Sequence, residues 1–271
     1  MRNEVAEHFY SVLERATVVT DPFPYIYMRD VLPEAYYRDL IAGLPANEAY
    51  EKFPAPYESR LGLELTEDAV EKFPNSAQAK WQEFEAWLHS QEFLEHVVGK
   101  FRPYLTENET IRKQQLKDAA VDEHNIRIQP RSLLVRDYSN FAISPHTDSA
   151  SKTVVGAYYL PKDDAQKSFG TSFYKPKDPS FTDWDSERFE YADFEVAMTA
   201  EYAPNSMLFF MKSLKSFHGV EARQYSDIGR DVLFWSPAIA KRKVSDKSLS
   251  LPVEWFRSKR SLLGNIKNFF G

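Results

Sequence analysis

The sequence predicts an α+β fold: a jelly-roll core of short strands, with N-terminal helices packed on it and a C-terminal helix closing it. Three observations carry this expectation. Apolar residues recur at helical spacing through much of the first hundred residues. From Ile126 the period shortens to that of strands, about eight of them in a row. Residues 253–270 then return to near-helical spacing.

The elements follow in chain order. Val5, Phe9, Val12, Leu13 and Ala16 mark a first helix, which Asp21-Pro22-Phe23-Pro24 ends. Tyr25–Met28 is a short strand. Asp30 is placed to cap a helix that carries Pro33 in its first turn and Tyr36, Leu40 and Leu44 on one face. Pro54, Pro56 and Pro74 punctuate a looser stretch. Two helices follow, one around Trp81, Phe84 and Leu88, the other around Phe93, Leu94, Val97, Val98 and Phe101. Residues 106–124 are polar and read as a connector. The strands are then Ile126–Gln129, Ser132–Tyr138, Thr153–Leu160, Gly170–Tyr174, Phe194–Tyr202, Met207–Met211, Phe217–Ala222 and Arg230–Trp235. Between the fourth and fifth, the polar insert Lys175–Asp193 has the length of a lid or binding loop. The expected organisation is a mainly helical elaboration over 1–125, a core over 126–240, and a basic amphipathic helix over 241–271 that belongs to the same domain.

Composition narrows the function classes. With 43 % hydrophobic and 15 % aromatic residues, the chain can bury a sizeable core, so disorder is excluded. There is no cysteine, which removes disulfides, zinc ribbons and thiolate nucleophiles. Any metal must be held by His, Asp or Glu, a donor set that suits iron, manganese or zinc. Met1 to Leu13 is broken by Arg2, Glu4, Glu7 and His8 and lacks a signal peptide's apolar stretch, and no run is long enough to span a membrane, so the expected location is cytoplasmic. The net charge of −6 argues against nucleic acid as a partner.

The chemistry concentrates in two strings. In Ser144-Pro145-His146-Thr147-Asp148, a His and an Asp two apart at a strand end can face one metal. Ser216-Phe217-His218-Gly219-Val220 supplies a second imidazole 72 residues after the first. Two imidazoles and one carboxylate on one face leave the opposite coordination positions open, as in non-haem iron(II) sites. A third element is Arg230 in Gly229-Arg230-Asp231-Val232-Leu233-Phe234-Trp235, 12 residues after His218. An arginine opening an apolar strand is expensive to bury unless an anion pairs with it, and a guanidinium can grip a carboxylate with two bonds. His8, His89, His96 and His124 sit in helical or connector segments and read as structural.

With these residues in view, Leu134–Asp148, Tyr158-Tyr159-Leu160-Pro161, Gly170-Thr171, Met207–Glu221 and Arg230–Trp235 together resemble the prolyl-hydroxylase-like branch of the 2-oxoglutarate/iron(II) dioxygenases, over roughly residues 126–240. The resemblance implies a double-stranded β-helix (cupin-like) core, with His146, Asp148 and His218 as both catalytic and metal-binding residues for Fe(II). It further implies 2-oxoglutarate as cosubstrate, O2 as oxidant, ascorbate as a reductant, and release of succinate and CO2. Arg230 would hold the distal carboxylate of 2-oxoglutarate. Tyr159 would lie on an inward face beside it, and Tyr138 would match a tyrosine before the His-x-Asp strand. Two departures stand out. The spacing from His218 to Arg230 is longer than usual, which leaves Arg223 open as the carboxylate partner, and Arg230 is followed by Asp-Val, not by the x-Ser of some other branches.

Two other classes stay open at this level. A cupin-like metal enzyme without 2-oxoglutarate would not need Arg230. A non-catalytic sugar- or protein-binding jelly roll would not need the triad. Because Asp148 is present, hydroxylation or a related oxidation is expected in place of halogenation. The acidic bulk of the chain favours a small polar substrate. In the tail, Val253, Phe256, Leu263, Ile266 and Phe270 alternate with Arg257, Lys259, Arg260 and Lys267. Packing of that apolar stripe on the core is expected, with contact to an acidic membrane surface as the alternative.

Overall fold

The computed structural model describes residues 3–105, 116–117, 119–122, 124–138, 141–184, 187–221, 229–241 and 248–256. In chain order the helices and strands are α1 (Asn3–Arg15), β1 (Tyr25–Met28), α2 (Glu34–Ala42), β2 (Glu51–Lys52), β3 (Arg60–Glu64), α3 (Asn75–Leu88), α4 (Gln91–Lys100), β4 (Val121–Asp122), β5 (Asn125–Gln129), β6 (Ser132–Asp137), β7 (Ile143–His146), β8 (Val154–Tyr159), β9 (Ser172–Pro176), β10 (Phe194–Thr199), β11 (Ser206–Met211), β12 (His218–Val220), β13 (Arg230–Trp235), β14 (Ala238–Ile239) and β15 (Leu249–Pro252). Every strand pairing is antiparallel. A seven-stranded sheet runs β1-β11-β8-β13-β6-β3-β2, and a four-stranded sheet runs β10-β9-β12-β7. A third, smaller sheet centres on β5, flanked by β14, β15 and β4.

The four helices cover one face of the large sheet. Helix α1 buries Val5, Phe9 and Leu13, spaced so that they fall on one face. Ser90 caps α4 by accepting a hydrogen bond from the Phe93 amide, and Phe93, Leu94, Val97 and Val98 are buried behind it. Phe93 meets Trp235 of β13 edge to face at 5.1 Å, and the Trp235 indole donates to the Leu88 carbonyl at 2.9 Å. The period of two along β8 divides its side chains. Val154 and Tyr158 join the helix-side cluster, whereas Val155, Ala157 and Tyr159 join a second cluster between the sheets. Leu208, Phe210 and Val232 of the large sheet join that inner cluster, with Phe173 of the β10-β9-β12-β7 sheet packed against Phe210 at 5.4 Å.

Several expectations need correction or extension. Asp30 does not cap α2: Pro33 occupies the cap position, and Asp30 takes a left-handed backbone with its carbonyl accepting from His8 Nε2 at 2.8 Å. The Pro-punctuated stretch holds β2 and β3, which extend the large sheet from β6. The tail is described only to Phe256, where Val253–Phe256 forms a single 3₁₀ turn with Val253 and Phe256 buried. The helix expected over the rest of 253–270 lies outside the described residues. Among the described residues no helix is long and apolar enough to cross a membrane.

Candidate metal centre and its cavity

His146 ends β7 and His218 opens β12, and the strand register sets them directly opposite each other, with ring centroids 4.3 Å apart. Gly219 makes this approach possible: a Cβ there would lie 2.3 Å from the Ile143 carbonyl oxygen, so any side chain would push the two strands apart. Asp148 follows β7 by two residues and turns back towards both rings. One ligand atom from each of His146, Asp148 and His218 lies within 4.8 Å of the others, a grouping that could hold a metal ion.

Hydrogen bonding prepares the donor atoms. His146 Nδ1 faces the Ser144 carbonyl at 3.0 Å, and His218 Nδ1 faces the Ser216 carbonyl at 2.9 Å. A carbonyl only accepts, so each Nδ1 carries the proton and each Nε2 presents a lone pair. Burial, then the nearby His218 and Arg188, push His146 well below its ordinary pKa. Burial lowers His218 as well, with Asp148 pulling in the opposite direction. Both rings are therefore neutral, the state a metal ligand needs. Burial would raise the Asp148 carboxyl, but Lys152, through its charge and its hydrogen bond, leads the opposing influences and holds it well below the usual carboxylate range. Lys152 Nζ donates to Asp148 Oδ1 at 2.7 Å. Asp148 Oδ2 is buried without a hydrogen-bond partner and stands 3.5 Å from His218 Nε2. A buried carboxylate oxygen without a hydrogen bond, within 4.8 Å of two imidazole nitrogens, fits a divalent cation.

The triad opens into a cavity of about 270 Å³, whose wall also includes Arg60, Lys152, Thr171, Arg188, Phe210 and Phe234. Two larger hollows, of about 540 and 450 Å³, lie along β2–β3 and against α3, and neither contains the triad. Arg230 is fully buried at the start of β13. Its Nη1 donates to Asp137 Oδ2 at 2.9 Å and its Nε to the Phe169 carbonyl at 2.5 Å. Arg60 grips the same carboxylate with two bonds, Nε to Oδ1 at 2.6 Å and Nη2 to Oδ2 at 2.9 Å, and it is Arg60 that reaches the cavity wall. The anion needed to bury Arg230 is thus supplied by the chain itself. Tyr159 is buried in the cluster between the sheets and is not part of the cavity wall. Its hydroxyl donates to Thr171 Oγ1 at 2.9 Å and accepts from the Thr171 amide at 3.1 Å. The Tyr138 hydroxyl donates to Asn47 Oδ1 at 2.9 Å, and Tyr138 is not part of the cavity wall. Arg223 lies outside the described residues.

The insert between β9 and β10 docks against this centre. The Phe189 amide donates to the Pro145 carbonyl at 3.0 Å, and the Asp183 amide to the Leu214 carbonyl at 3.0 Å. Phe181 and Phe189 pack on Phe194 and Phe217. Thr147, between His146 and Asp148, accepts from Lys212 Nζ and donates to Asp183 Oδ2, each at 2.7 Å, with all three side chains buried. Asp137, Arg60, Lys152, Thr171 and Arg188 were not singled out from sequence. Asp137 follows the apolar run Leu133–Val135 after one intervening residue, Arg136.

No family model matches the chain, and a search of curated proteins finds no match. Similar solved structures include the non-heme alpha-ketoglutarate-dependent carbocyclase SnoK from nogalamycin biosynthesis, at 13 % identity over 89 % of this chain and 90 % of that one, with a TM-score of 0.47. A prolyl hydroxylase from Trichoplax adhaerens, in complex with a hypoxia-inducible-factor peptide, is 9 % identical over 86 % of this chain and 89 % of that one, with a TM-score of 0.45. HygX from Streptomyces hygroscopicus, with nickel and 2-oxoglutarate bound, is 8 % identical over 79 % and 82 %, with a TM-score of 0.45. At these identities and TM-scores the likenesses carry no weight for the activity of this chain, which has to be read from its own site.

Proposed function

We propose that this chain is a cytoplasmic iron(II)- and 2-oxoglutarate-dependent oxygenase that hydroxylates or otherwise oxidises a small polar molecule. The observation that carries the reading is the centre itself: His146, Asp148 and His218 converge, both Nε2 atoms are prepared as donors, and Asp148 Oδ2 lies buried and unbonded between them. Strand order supports a double-stranded β-helix. Strands β6 to β13 divide into two antiparallel sets of four, β6-β13-β8-β11 and β7-β12-β9-β10. These strands make up the core proposed for 126–240, which 1–125 elaborates and 241–271 closes.

Bound at the triad, iron(II) with 2-oxoglutarate and O2 would supply the oxidising chemistry, coupled to release of succinate and CO2. The protein's part is to hold and shield. His146, Asp148 and His218 would take one face of the metal and leave the cavity side open. Lys152 keeps Asp148 Oδ1 engaged so that Oδ2 points inward. Arg230, with Arg60 across Asp137, would secure the distal carboxylate of the cosubstrate. Tyr159 would act through Thr171, which its hydroxyl fixes at the cavity wall. Phe210 and Phe234 line the wall and help exclude water.

One observation favours a second reading, a cupin-like metal enzyme that does not use 2-oxoglutarate: Asp137 already pairs with Arg230. The two are separated by adding 2-oxoglutarate to the iron(II)-loaded chain without oxygen. Chelation of the metal by the keto acid produces a visible charge-transfer band, and admitting oxygen with a metabolite library should then release succinate. A loaded chain that develops neither band nor succinate would leave the second reading.

A further inference from the structure

Charge around the cavity runs against that of the chain as a whole. The chain carries a net −6, yet the charged side chains on the cavity wall are Arg60, Arg131, Lys152 and Arg188 against Asp148 alone. Three of the four cations have acidic partners. Arg60 is paired with Asp137, Arg131 with Glu64 at 3.3 Å, and Lys152 with Asp148 at 2.7 Å. Arg188 has none among the described residues; its Nε donates to the Tyr57 hydroxyl at 3.2 Å, and the two terminal nitrogens of the fork stay available. Nor is Arg188 at the tip of a loose loop. It is flanked by the two points where the insert is fastened, Asp183 on Thr147 and the Phe189 amide on the Pro145 carbonyl. It shares the cavity wall with His146, Asp148 and His218.

Resting on the oxygenase reading, we infer that the substrate bears an oxyanion, a carboxylate or a phosphate, and that Arg188 grips it at the cavity next to the His146–Asp148–His218 centre. A forked guanidinium with two free amino groups matches two oxygens of either anion, and an anchored backbone lowers the ordering cost of forming that grip. Tyr57, accepting from Nε, leaves the outer edge of the fork for the anion. Arg188 is thereby a specificity residue: it selects anionic molecules over neutral ones of the same size.

The test uses the full chain loaded with Mn(II), a redox-silent substitute for iron(II), and saturated with 2-oxoglutarate, with inorganic phosphate and acetate as probes. Mn(II) speeds nuclear relaxation steeply with proximity, so the phosphorus or carboxyl-carbon signal reports an oxyanion seated beside the metal without any turnover. The expected result is saturable enhancement for at least one probe, weakened about tenfold or more in Arg188→Gln and partly retained in Arg188→Lys. The tighter probe distinguishes phosphate from carboxylate, and neutral trimethyl phosphate should show no enhancement. Absence of saturable enhancement for both anions overturns the inference. So does enhancement unchanged in Arg188→Gln, which would put the anion on the metal itself. If the chain takes up no Mn(II), or 2-oxoglutarate leaves the metal's EPR spectrum unaltered, the oxygenase reading fails and this inference falls with it. With metal and cosubstrate both bound, a negative result with the two anions sinks the inference alone.

Discussion

Arg230 and Asp137 form an ion pair across the register of β13 and β6, Nη1 to Oδ2 at 2.9 Å, with both side chains fully buried. Asp137 is also the register partner of Arg60 on β3, so two guanidiniums converge on one carboxylate from the strands either side of it. Desolvating such charges costs several kcal/mol per ion, which their mutual attraction has to offset. The arrangement ties an N-terminal strand to the core and places Arg60 on the cavity wall.

The cluster predicts an order of damage. Asp137→Asn leaves two buried guanidiniums without their countercharge and should cost ~3–5 kcal/mol, read as a lower denaturation midpoint. Arg230→Ala should cost less, because Arg60 keeps two bonds to Asp137. For folded protein at low temperature, Arg230→Ala should retain metal but weaken 2-oxoglutarate binding by ~2–5 kcal/mol, tens- to thousands-fold. If Arg60→Ala loses the cosubstrate while Arg230→Ala keeps it, the carboxylate belongs to Arg60.

At the triad, His146→Ala, Asp148→Ala and His218→Ala should each abolish stoichiometric Mn(II) or iron(II) uptake and any turnover. The two histidine variants should still melt cooperatively, since the rings stand at a cavity wall. Metal analysis after desalting checks this. Full metal content in His218→Ala would remove His218 from the ligand set.

The grouping of His146, Asp148 and His218 could be suggested from sequence because its residue types sit in two short strings, 144–148 and 216–220. The register of β7 and β12, which sets His146 opposite His218, could not, since the sequence offers only four and three residues for those strands. Arg60 was hidden for a different reason. Strand β3 lies in a Pro-rich stretch, and its pairing with β6 joins residues some seventy positions apart, a contact no local pattern encodes. Asp137 was hidden by its neighbour Arg136, which reads as a local countercharge, whereas in the structure Arg136 pairs with Asp231 and Asp137 with Arg60 and Arg230. The left-handed backbone at Asp30 set aside its role as a cap, and Pro33 took the position with no side-chain cap at all.

Thr147 links the segment between His146 and Asp148 to the insert, and Thr147→Val removes its hydroxyl at nearly constant volume. Lys212 and Asp183 would each lose a buried hydrogen bond, for a cost of ~1–3 kcal/mol. Because Asp183 fastens the insert, the variant should also be cut faster by trypsin after Lys177 and Arg188 under native conditions. Cleavage there at the wild-type rate, with the global midpoint lowered, would mean that the Phe181–Phe189–Phe194–Phe217 cluster alone fixes the insert.

Deleting residues 250–271 separates the two readings of the tail. Within the described residues, Leu251, Val253 and Phe256 are 0 %, 5 % and 0 % exposed, and β15 pairs with β5 along Leu249–Pro252. Removing three such side chains forfeits roughly 1.5–3 kcal/mol each. The deletion further strips Gln91 of both its bonds to the Ser250 backbone, at 2.6 and 3.0 Å. The sum is comparable to the whole stability of a typical domain, so the deleted protein should melt far lower or aggregate on expression. Ending the chain at Phe256 keeps all of these contacts and should recover most of the stability. A 250–271 deletion that melts like the full chain, and differs only in no longer sedimenting with anionic vesicles, would assign the segment to a membrane surface in place of the core.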